Sequence, residues 1–180
     1  MSSRNGAPRE VALPVEVFDA LRVEMERDVG TLEMVSALHA AGYAAGLAAA
    51  PVLNRTSGGE ALRLSSSGFW TQLSTYFDSR GWGALSHRAA HRAIGILSSR
   101  EWAEASTPGN QSESGCAVSA GFLSGLLSQL AGGPVAVLEV HCRGRGDDAC
   151  EFAFGSETAI HDLYGHLLDG AGLDEALGAL

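Results

Sequence analysis

The N-terminal part of the chain has apolar residues at helical spacing. Residues 1–12 are polar and without periodicity, so we expect them to form a disordered leader. Apolar side chains then recur every three or four positions between Pro14 and Gly30, at Val17, Phe18, Leu21 and Met25. Side chains at this spacing share one face of an α-helix. The pattern therefore predicts an amphipathic helix that ends at Gly30.

Two further helices are predicted before residue 82. The second extends from about Thr31 to Ala50, and its residues Gly42 and Gly46 share one face, where a second backbone can approach closely. Residues 54–60 are expected to form a loop. The third helix ends near Gly81 and has apolar residues at helical spacing, namely Phe69, Trp70, Leu73 and Phe77.

The C-terminal part predicts two hairpins separated by a helix. In residues 82–99 the apolar and polar positions form a short, mixed pattern, and Ile94 and Ile96 favour a strand. We therefore predict a first hairpin there. Residues 105–115 are predicted to be a loop. A helix then begins near Gly115 and ends at Gly132, and its apolar ladder consists of Val118, Phe122, Leu126 and Leu130.

The second hairpin is indicated by β-branched residues and alternation. Its strands are predicted at residues 135–142 and 149–154, joined by a turn that contains two glycines. A last helix is expected after Ser156, followed by a C-terminal tail at residues 171–180. The chain shows no internal repeat and no long linker, so residues 13–170 are predicted to form one domain.

Composition narrows the classes of function. The formal net charge of -9 argues against nucleic acid, which is bound mainly by basic groups. The basic residues are 12 arginines without a lysine, which excludes Schiff-base chemistry and a phosphate-binding P-loop lysine. No export signal or uninterrupted membrane-spanning apolar run is visible. We therefore expect a cytoplasmic protein without a membrane partner.

Three cysteines and a glutamate converge on the second hairpin. Cys116 opens a helix, Glu139 and Cys142 lie on the following strand, and Cys150 begins the return strand. The hairpin brings the last two cysteines together, and a thiolate is favoured at a helix N-terminus. Three thiolates and one carboxylate match a closed, tetrahedral and therefore structural zinc site.

The spacing alone leaves other interpretations open. The cysteines can instead be buried, reduced residues that pack as small apolar side chains. Zinc binding also sets a geometric condition, because Glu139 and Cys142 would point to opposite faces of a regular strand. The strand must therefore bulge or end near Val140 or His141. His141 is an alternative ligand in place of Glu139.

Residues 115–154 resemble the C-terminal signature of the V4R (4-vinyl reductase) family. In that family a cysteine precedes a helix with a Gly-Phe pair, an E-x-x-C motif follows on a strand, and a glycine-rich turn leads to a last cysteine. The matching positions here are Cys116, Gly121, Phe122, Glu139, Cys142, Gly144, Gly146, Asp148 and Cys150. Upstream, residues 41–46 and 68–83 are similar to a Gly-Tyr segment and a pocket helix of the family.

The resemblance implies an α+β fold with helices packed on an antiparallel sheet, akin to the vesicle-tethering TRAPP subunits and the haem–nitric-oxide-binding domains. It also implies a structural zinc ion held by Cys116, Glu139, Cys142 and Cys150. The sensor domains of phenol-responsive bacterial transcription activators hold zinc through the same residue types. Dimers are typical of V4R relatives, so a homodimer is expected.

The resemblance further implies an internal pocket for a small apolar or aromatic molecule. The candidate lining residues are Phe69, Trp70, Leu73, Ser74, Phe77, Trp82, Trp102 and Phe122. Ser74 stands where the phenol sensors have a ligand-binding His, and Trp102 where they have its partner Trp. Because a hydroxyl is shorter than an imidazole and cannot become cationic, we expect a preference for a ligand that is larger and more apolar than phenol.

The expected function is that of a stand-alone small-molecule sensor domain. Two alternatives stay open: an accessory protein for vinyl reduction of a tetrapyrrole in bacteriochlorophyll synthesis, and a TRAPP-like assembly subunit without a ligand. Enzymatic activity is not expected. Gly144 and Gly146 lie in a hairpin turn and not between a strand and a helix, so they are no dinucleotide-binding fingerprint.

Overall fold

The structure, a computed structural model, describes residues 10–56, 65–105 and 115–180. Within these residues, three helices precede the first strand: α1 (Glu16–Val29), α2 (Thr31–Thr56) and α3 (Ser66–Asp78). α1 ends as predicted at Gly30, whose φ of 88° is readily adopted by glycine alone. The hydroxyl of Ser65 caps α3 by accepting a hydrogen bond from the Gly68 N–H.

α2 is longer than predicted. It continues through Pro51 to Thr56, so the predicted end at Ala50 and the loop assignment of residues 54–56 are wrong. Residues 57–60 of that predicted loop lie outside the described part of the chain. Pro51 lacks a backbone N–H, so one helical hydrogen bond is missing near the end of α2. The side chain of Leu53 in the next turn is fully buried and holds this end of the helix in the core.

Both predicted hairpins are confirmed in one antiparallel sheet. Its strands are β1 (Ser86–His91), β2 (Ile94–Ser99), β3 (Ala136–His141) and β4 (Cys150–Gly155), in the order β1-β2-β4-β3. β2 and β4 lie in the centre with Leu97 opposite Phe152, and both of these side chains are buried. Apolar, β-branched and aromatic residues favour such central strands.

Three helices belong to the C-terminal part: α4 (Ala117–Ala131), α5 (Glu157–Leu168) and α6 (Leu173–Gly178). α4 and α5 are the predicted helices, and α4 ends at Gly132 with a φ of 69°. The segment expected as a C-terminal tail forms α6, where Ala176 and Leu177 are buried. Residues 106–114 of the predicted loop before α4 lie outside the described residues.

α2 and α4 pack with their backbones in close contact. A Cβ added to Gly46 would lie 2.1 Å from the carbonyl oxygen of Phe122, and one added to Gly125 would lie 2.2 Å from that of Tyr43. Each helix contributes two glycines to this contact: Gly42 and Gly46 from α2, and Gly121 and Gly125 from α4. The glycine face predicted on α2 therefore packs against α4 of the same chain.

The face of α2 opposite the glycines is exposed and has small side chains. It consists of Ala37, Ala40, Ala41, Ala44, Ala45 and Ala48. Within the described residues, α2 is also the one helix whose length and apolar composition would allow it to cross a membrane. Core helices of soluble proteins pass the same test, and here the glycine face of α2 packs against α4.

The last residues of the expected disordered leader are part of the described chain. Glu10 accepts hydrogen bonds of 2.9 and 3.0 Å from the guanidinium of Arg80, and one of 3.2 Å from the hydroxyl of Tyr76. The Arg80 guanidinium also lies 3.8 Å above the centre of the Tyr76 ring. The chain at Glu10 is therefore attached to the end of α3.

Candidate metal centre and ligand pocket

The three cysteine sulfurs meet at the junction of α4, β3 and β4. Cys116 is the N-cap of α4, Cys142 directly follows β3, and Cys150 is the first residue of β4. The Cys116 sulfur lies 3.8 Å from that of Cys142 and 3.9 Å from that of Cys150, and all three residues are buried. A disulfide would require about 2.05 Å. Two sulfurs bound to one tetrahedral zinc at about 2.3 Å stand about 3.8 Å apart.

β3 delivers Glu139 to the same point because the strand is irregular. Glu139 pairs with Phe152 and His141 with Glu151, so two residues of β3 span one residue of β4. This bulge at Val140, together with the end of β3 at His141, confirms the condition that the sequence imposed. His141 is bound elsewhere, with its Nδ1 3.1 Å from a carboxylate oxygen of Glu151.

The carboxyl group of Glu139 has one partnered and one unpartnered oxygen. Oε2 accepts a 2.8 Å hydrogen bond from the Cys116 N–H and lies 3.5 Å from a guanidinium nitrogen of Arg145. Oε1 is buried and has no hydrogen-bond partner within the described residues. A carboxylate oxygen of Glu139 and the three cysteine sulfurs all lie within 4.8 Å of one another. The group therefore has one free acceptor among three thiols.

Gly115 makes the approach of Glu139 possible. Its φ is 48°, and a Cβ added there would lie 1.7 Å from Oε2 of Glu139. On the other side of the cluster, the Cys142 N–H donates a 2.7 Å bond to Asp147, and the Cys142 carbonyl accepts a 2.9 Å bond from the Arg145 N–H. The turn after β3 thus fixes the backbone of Cys142.

Burial and mutual contact shift the pKa values of the cluster. Burial, and next the neighbouring Cys142, raise the pKa of Glu139 to about 8. Hydrogen bonds to Cys142 and Cys150 raise the pKa of the Cys116 thiol, whereas the hydrogen bond from Cys116 lowers the pKa of Cys150. A divalent cation would replace the retained protons and satisfy the free oxygen. These residues therefore fit a metal ion that prefers sulfur and oxygen ligands in a tetrahedron.

Most of the candidate pocket residues lie in the same core as the cysteines. Phe69, Leu73, Phe77 and Trp102 are buried there, and Trp82 and Phe122 are partly buried against it. Four rings form an aromatic cluster with centroids 5.3–6.3 Å apart: Phe77, Trp82, Trp102 and Phe122. Phe18 of α1 packs on Trp82, and Phe152 of β4 packs on Trp102. The sequence patterns gave no reason to assign these last two rings to a pocket.

Trp70 and Ser74 lie at the edge of this core, and Trp70 packs against it. Both line an open groove of about 820 Å³ between α3 and β1, where Trp70 stacks on His87 with ring centroids 3.9 Å apart. The Ser74 hydroxyl accepts a 3.0 Å hydrogen bond from the Leu85 N–H. The groove thus adjoins the core at Trp70, and Ser74 lines the groove.

Trp102 takes part in a buried polar network that the sequence did not indicate. Its indole N–H donates a 2.7 Å hydrogen bond to the hydroxyl of Ser119, which in turn donates to the carboxylate of Glu104. Burial raises the pKa of Glu104 to about 7, and the bonds from Ser119 oppose this shift. Arg22 of α1 is buried beside this carboxylate at 3.9 Å.

The four candidate metal ligands lie in one segment that matches a known family model. Residues 96–156 match the model of the V4R domain. The resemblance inferred from the cysteine pattern is thereby confirmed, and the V4R segment extends from β2 through β4 to the start of α5. No curated protein sequence matches the chain.

Solved structures share the fold at low sequence identity. The phenol-responsive sensory domain of the transcription activator PoxR, crystallised with phenol, is 17% identical with a TM-score of 0.70, over 89% of this chain and 83% of that one. A trafficking protein particle complex subunit 3 from Naegleria fowleri, covalently bound to palmitic acid, is 14% identical with a TM-score of 0.64, over 78% and 91%.

A vinyl-4-reductase family protein from Methanocaldococcus jannaschii is also similar. It is 16% identical with a TM-score of 0.53, over 81% of this chain and 83% of that one. At such identities the similarity concerns the fold alone. The chain therefore has an α+β fold similar to those of the V4R and TRAPP proteins, with helices on a four-stranded antiparallel sheet.

Proposed function

We propose that this chain is a small-molecule-binding sensor domain of the V4R type, stabilised by one structural zinc ion. The observation that carries the zinc proposal is the unpartnered Oε1 of Glu139 among three converging cysteine sulfurs. A buried polar atom without a partner costs about 1–3 kcal/mol, so an ion at this point would remove a real penalty. Three sulfurs and one carboxylate oxygen suit zinc better than a hard cation.

Cys116, Glu139, Cys142 and Cys150 would hold the ion and leave no position open for substrate. When bound, zinc supplies a fixed tetrahedral connection among α4, β3 and β4. The four ligands carry more negative charge than zinc offsets, and Arg145 together with the N-terminus of α4 lies near enough to compensate. Because such a site is not preformed in the unfolded chain, its binding free energy contributes to folding.

The sensor proposal is supported by the shared fold with the phenol-responsive domain of PoxR. We place the apolar or aromatic ligand at the aromatic cluster, which lies in the same core as the three cysteines. A ligand there would contact large rings whose burial is favourable and whose polar groups are few. The preference for a ligand larger than phenol rests on the family resemblance at Ser74, whose hydroxyl lies in the groove beside the core and accepts a hydrogen bond from the Leu85 N–H.

Elemental analysis tests the zinc site. The native protein should contain one zinc per chain, and Cys150→Ser should lose both the ion and much of its stability. His141→Ala is a matched control, because His141 lies between two ligands but is bound to Glu151. Native protein with less than about half an equivalent of zinc, or Cys150→Ser with a full equivalent, would refute the site.

Calorimetry with phenol and a panel of larger aromatic molecules and lipids tests the ligand class. We expect the wild type to bind a larger apolar compound more tightly than phenol, and Ser74→His to gain affinity for phenol. Tight phenol binding by the wild type, without a gain in Ser74→His, would contradict the role given to Ser74.

Self-association is the second role that a specific observation favours. The alanine face of α2 is exposed, and Leu32 at its start is 77% exposed. A second copy of this chain would cover such a surface, so a homodimer stays our prediction. Light scattering that gives a monomer mass at tens of micromolar protein would contradict it.

A further inference from the structure

The N-terminus of α4 is capped by a residue from another element. The side chain of a favourable N-cap residue accepts a hydrogen bond from the second or third N–H of the helix. Cys116 is the N-cap of α4, and its side chain makes no such bond. Its sulfur instead faces the two other cysteine sulfurs at 3.8 and 3.9 Å. The capping role therefore falls to a different residue.

Glu104 takes this role from the 3-10 turn Ala103–Ala105. Its Oε1 accepts a 3.0 Å hydrogen bond from the Val118 N–H, and its Oε2 accepts a 2.7 Å bond from the Ser119 N–H. These two N–H groups are the ones that an N-cap side chain normally binds. A carboxylate in this position also interacts favourably with the helix dipole. Glu104 thus accepts hydrogen bonds from two N–H groups at the N-terminus of α4, although it lies outside this helix.

Arg22 connects the same point to α1. One guanidinium nitrogen donates a 3.3 Å hydrogen bond to the Gly115 carbonyl and lies 3.9 Å from Oε1 of Glu104. The other binds Asp19 at 2.9 Å. A buried carboxylate is costly unless it is hydrogen-bonded and paired with a cation. Arg22 therefore stabilises Glu104 while it holds the peptide that precedes Cys116.

We propose that Glu104 and Arg22 are positioning residues for the metal ligand Cys116. Glu104 caps α4 in place of the Cys116 side chain, which leaves the sulfur directed at the other ligands. Arg22 holds the Gly115 carbonyl, so the backbone on both sides of Cys116 is fixed before an ion binds. A ligand that is already in place loses less conformational freedom on binding, and its affinity is higher. The inference rests on the proposed zinc site and gives α1 a part in building it.

Two variants and one matched control test the proposal. Glu104→Gln leaves one acceptor oxygen where the carboxylate had two, so it cannot serve both helix N–H groups well. Arg22→Met keeps an apolar stem but removes the donor to Gly115. The control is Leu163→Ala, which creates a cavity in a separate core cluster under α5 and lowers stability without touching α4.

Zinc affinity is measured by competition with a chromophoric chelator, and site geometry by the absorption bands of the protein loaded with Co²⁺. We expect Glu104→Gln and Arg22→Met to weaken zinc binding by about ten- to a hundredfold and to shift the Co²⁺ bands. Leu163→Ala should keep the wild-type spectrum and lose little affinity.

The outcomes separate the inference from the zinc proposal. If the two variants bind zinc as tightly as Leu163→Ala and show the wild-type Co²⁺ spectrum, Glu104 and Arg22 are only structural and the inference is wrong. If Glu104→Gln does not fold, Arg22→Met alone decides by the same criteria. A wild type that binds no zinc would overturn the metal site itself, and this inference with it.

Discussion

The indole N–H of Trp102 donates a 2.7 Å hydrogen bond to the hydroxyl of Ser119, on the first turn of α4. The family resemblance predicts Trp102 as a pocket residue, and its N–H is here bound within the protein. A ligand that used this donor would have to displace Ser119, which itself binds Glu104. The aromatic cluster and the N-terminus of α4 are therefore linked through a single hydroxyl.

Trp102→Phe should lower the free energy of unfolding by about 1–3 kcal/mol, because it leaves the buried Ser119 hydroxyl without its donor. Binding of an apolar ligand should weaken by about 1 kcal/mol or more if the ligand takes that N–H, while one zinc per chain remains. Urea denaturation and calorimetry measure the two effects. Trp82→Phe makes the same change in ring size within the cluster, and an equal loss in both variants would contradict the role of Ser119.

Gly115→Ala should weaken zinc binding and destabilise the fold. A Cβ at this position would lie 1.7 Å from Oε2 of Glu139, so the carboxyl group would have to leave the cluster. Gly132→Ala is the matched control: its φ of 69° is also positive, but nothing lies within 4 Å of its added Cβ. Elemental analysis measures the zinc content of both variants, and thermal denaturation measures their stability. An equal loss of zinc in the two variants would show that backbone strain, and not the contact with Glu139, weakens zinc binding. Full zinc in both variants would contradict the prediction.

Gly46→Ala should separate α2 from α4. The added Cβ would lie 2.1 Å from the backbone oxygen of Phe122, which cannot rotate away, and overpacking of this kind costs about 1–3 kcal/mol or more. Gly165→Ala in α5 meets nothing within 4 Å and should stabilise the protein by about 0.5–1 kcal/mol through helix propensity. Chemical denaturation gives both values. A neutral Gly46→Ala would mean that the helices are not in backbone contact.

The attachment of the N-terminal segment should depend on pH. The hydrogen bond from Arg80 holds the pKa of Glu10 below its usual value of 4.5. The folded state therefore binds fewer protons than the unfolded state. The contribution is fully present above pH 4.5 and is lost as the pH falls through the lowered pKa. Because the carboxylate is half exposed, we expect a local effect on residues 10–13.

Hydrogen exchange, expressed as protection relative to the unstructured chain, measures this dependence. Residues 10–13 should lose protection below pH 4.5 in the wild type, while the amides of β4 stay protected. In Glu10→Gln the same residues should be weakly protected at every pH. Protection that does not change between neutral and acidic pH would show that another contact holds the segment.

The local elements were predictable because their signals lie within short segments. α1, α3 and both hairpins follow from periodicity and from turn residues such as Gly30. The convergence of three cysteines and Glu139 was predicted from their spacing together with the family resemblance. A bulge or an end of the strand near Val140 or His141 was also predicted, since Glu139 and Cys142 can face one ion only if the alternation of the strand is broken.

Only the tertiary structure decided which distant residues meet. Arg22 and Gly115 are 93 positions apart, and neither Arg22 nor Glu104 belongs to a periodic pattern that would mark it as buried. The separation of Ser74 from Trp102 likewise depends on how α3 sits against β1. Periodicity reports which face of an element is buried, whereas a single buried charge is tolerated only where its partners arrive from elsewhere in the chain. The packing of distant elements decides which partners reach a buried charge, so the sequence of one segment cannot show it.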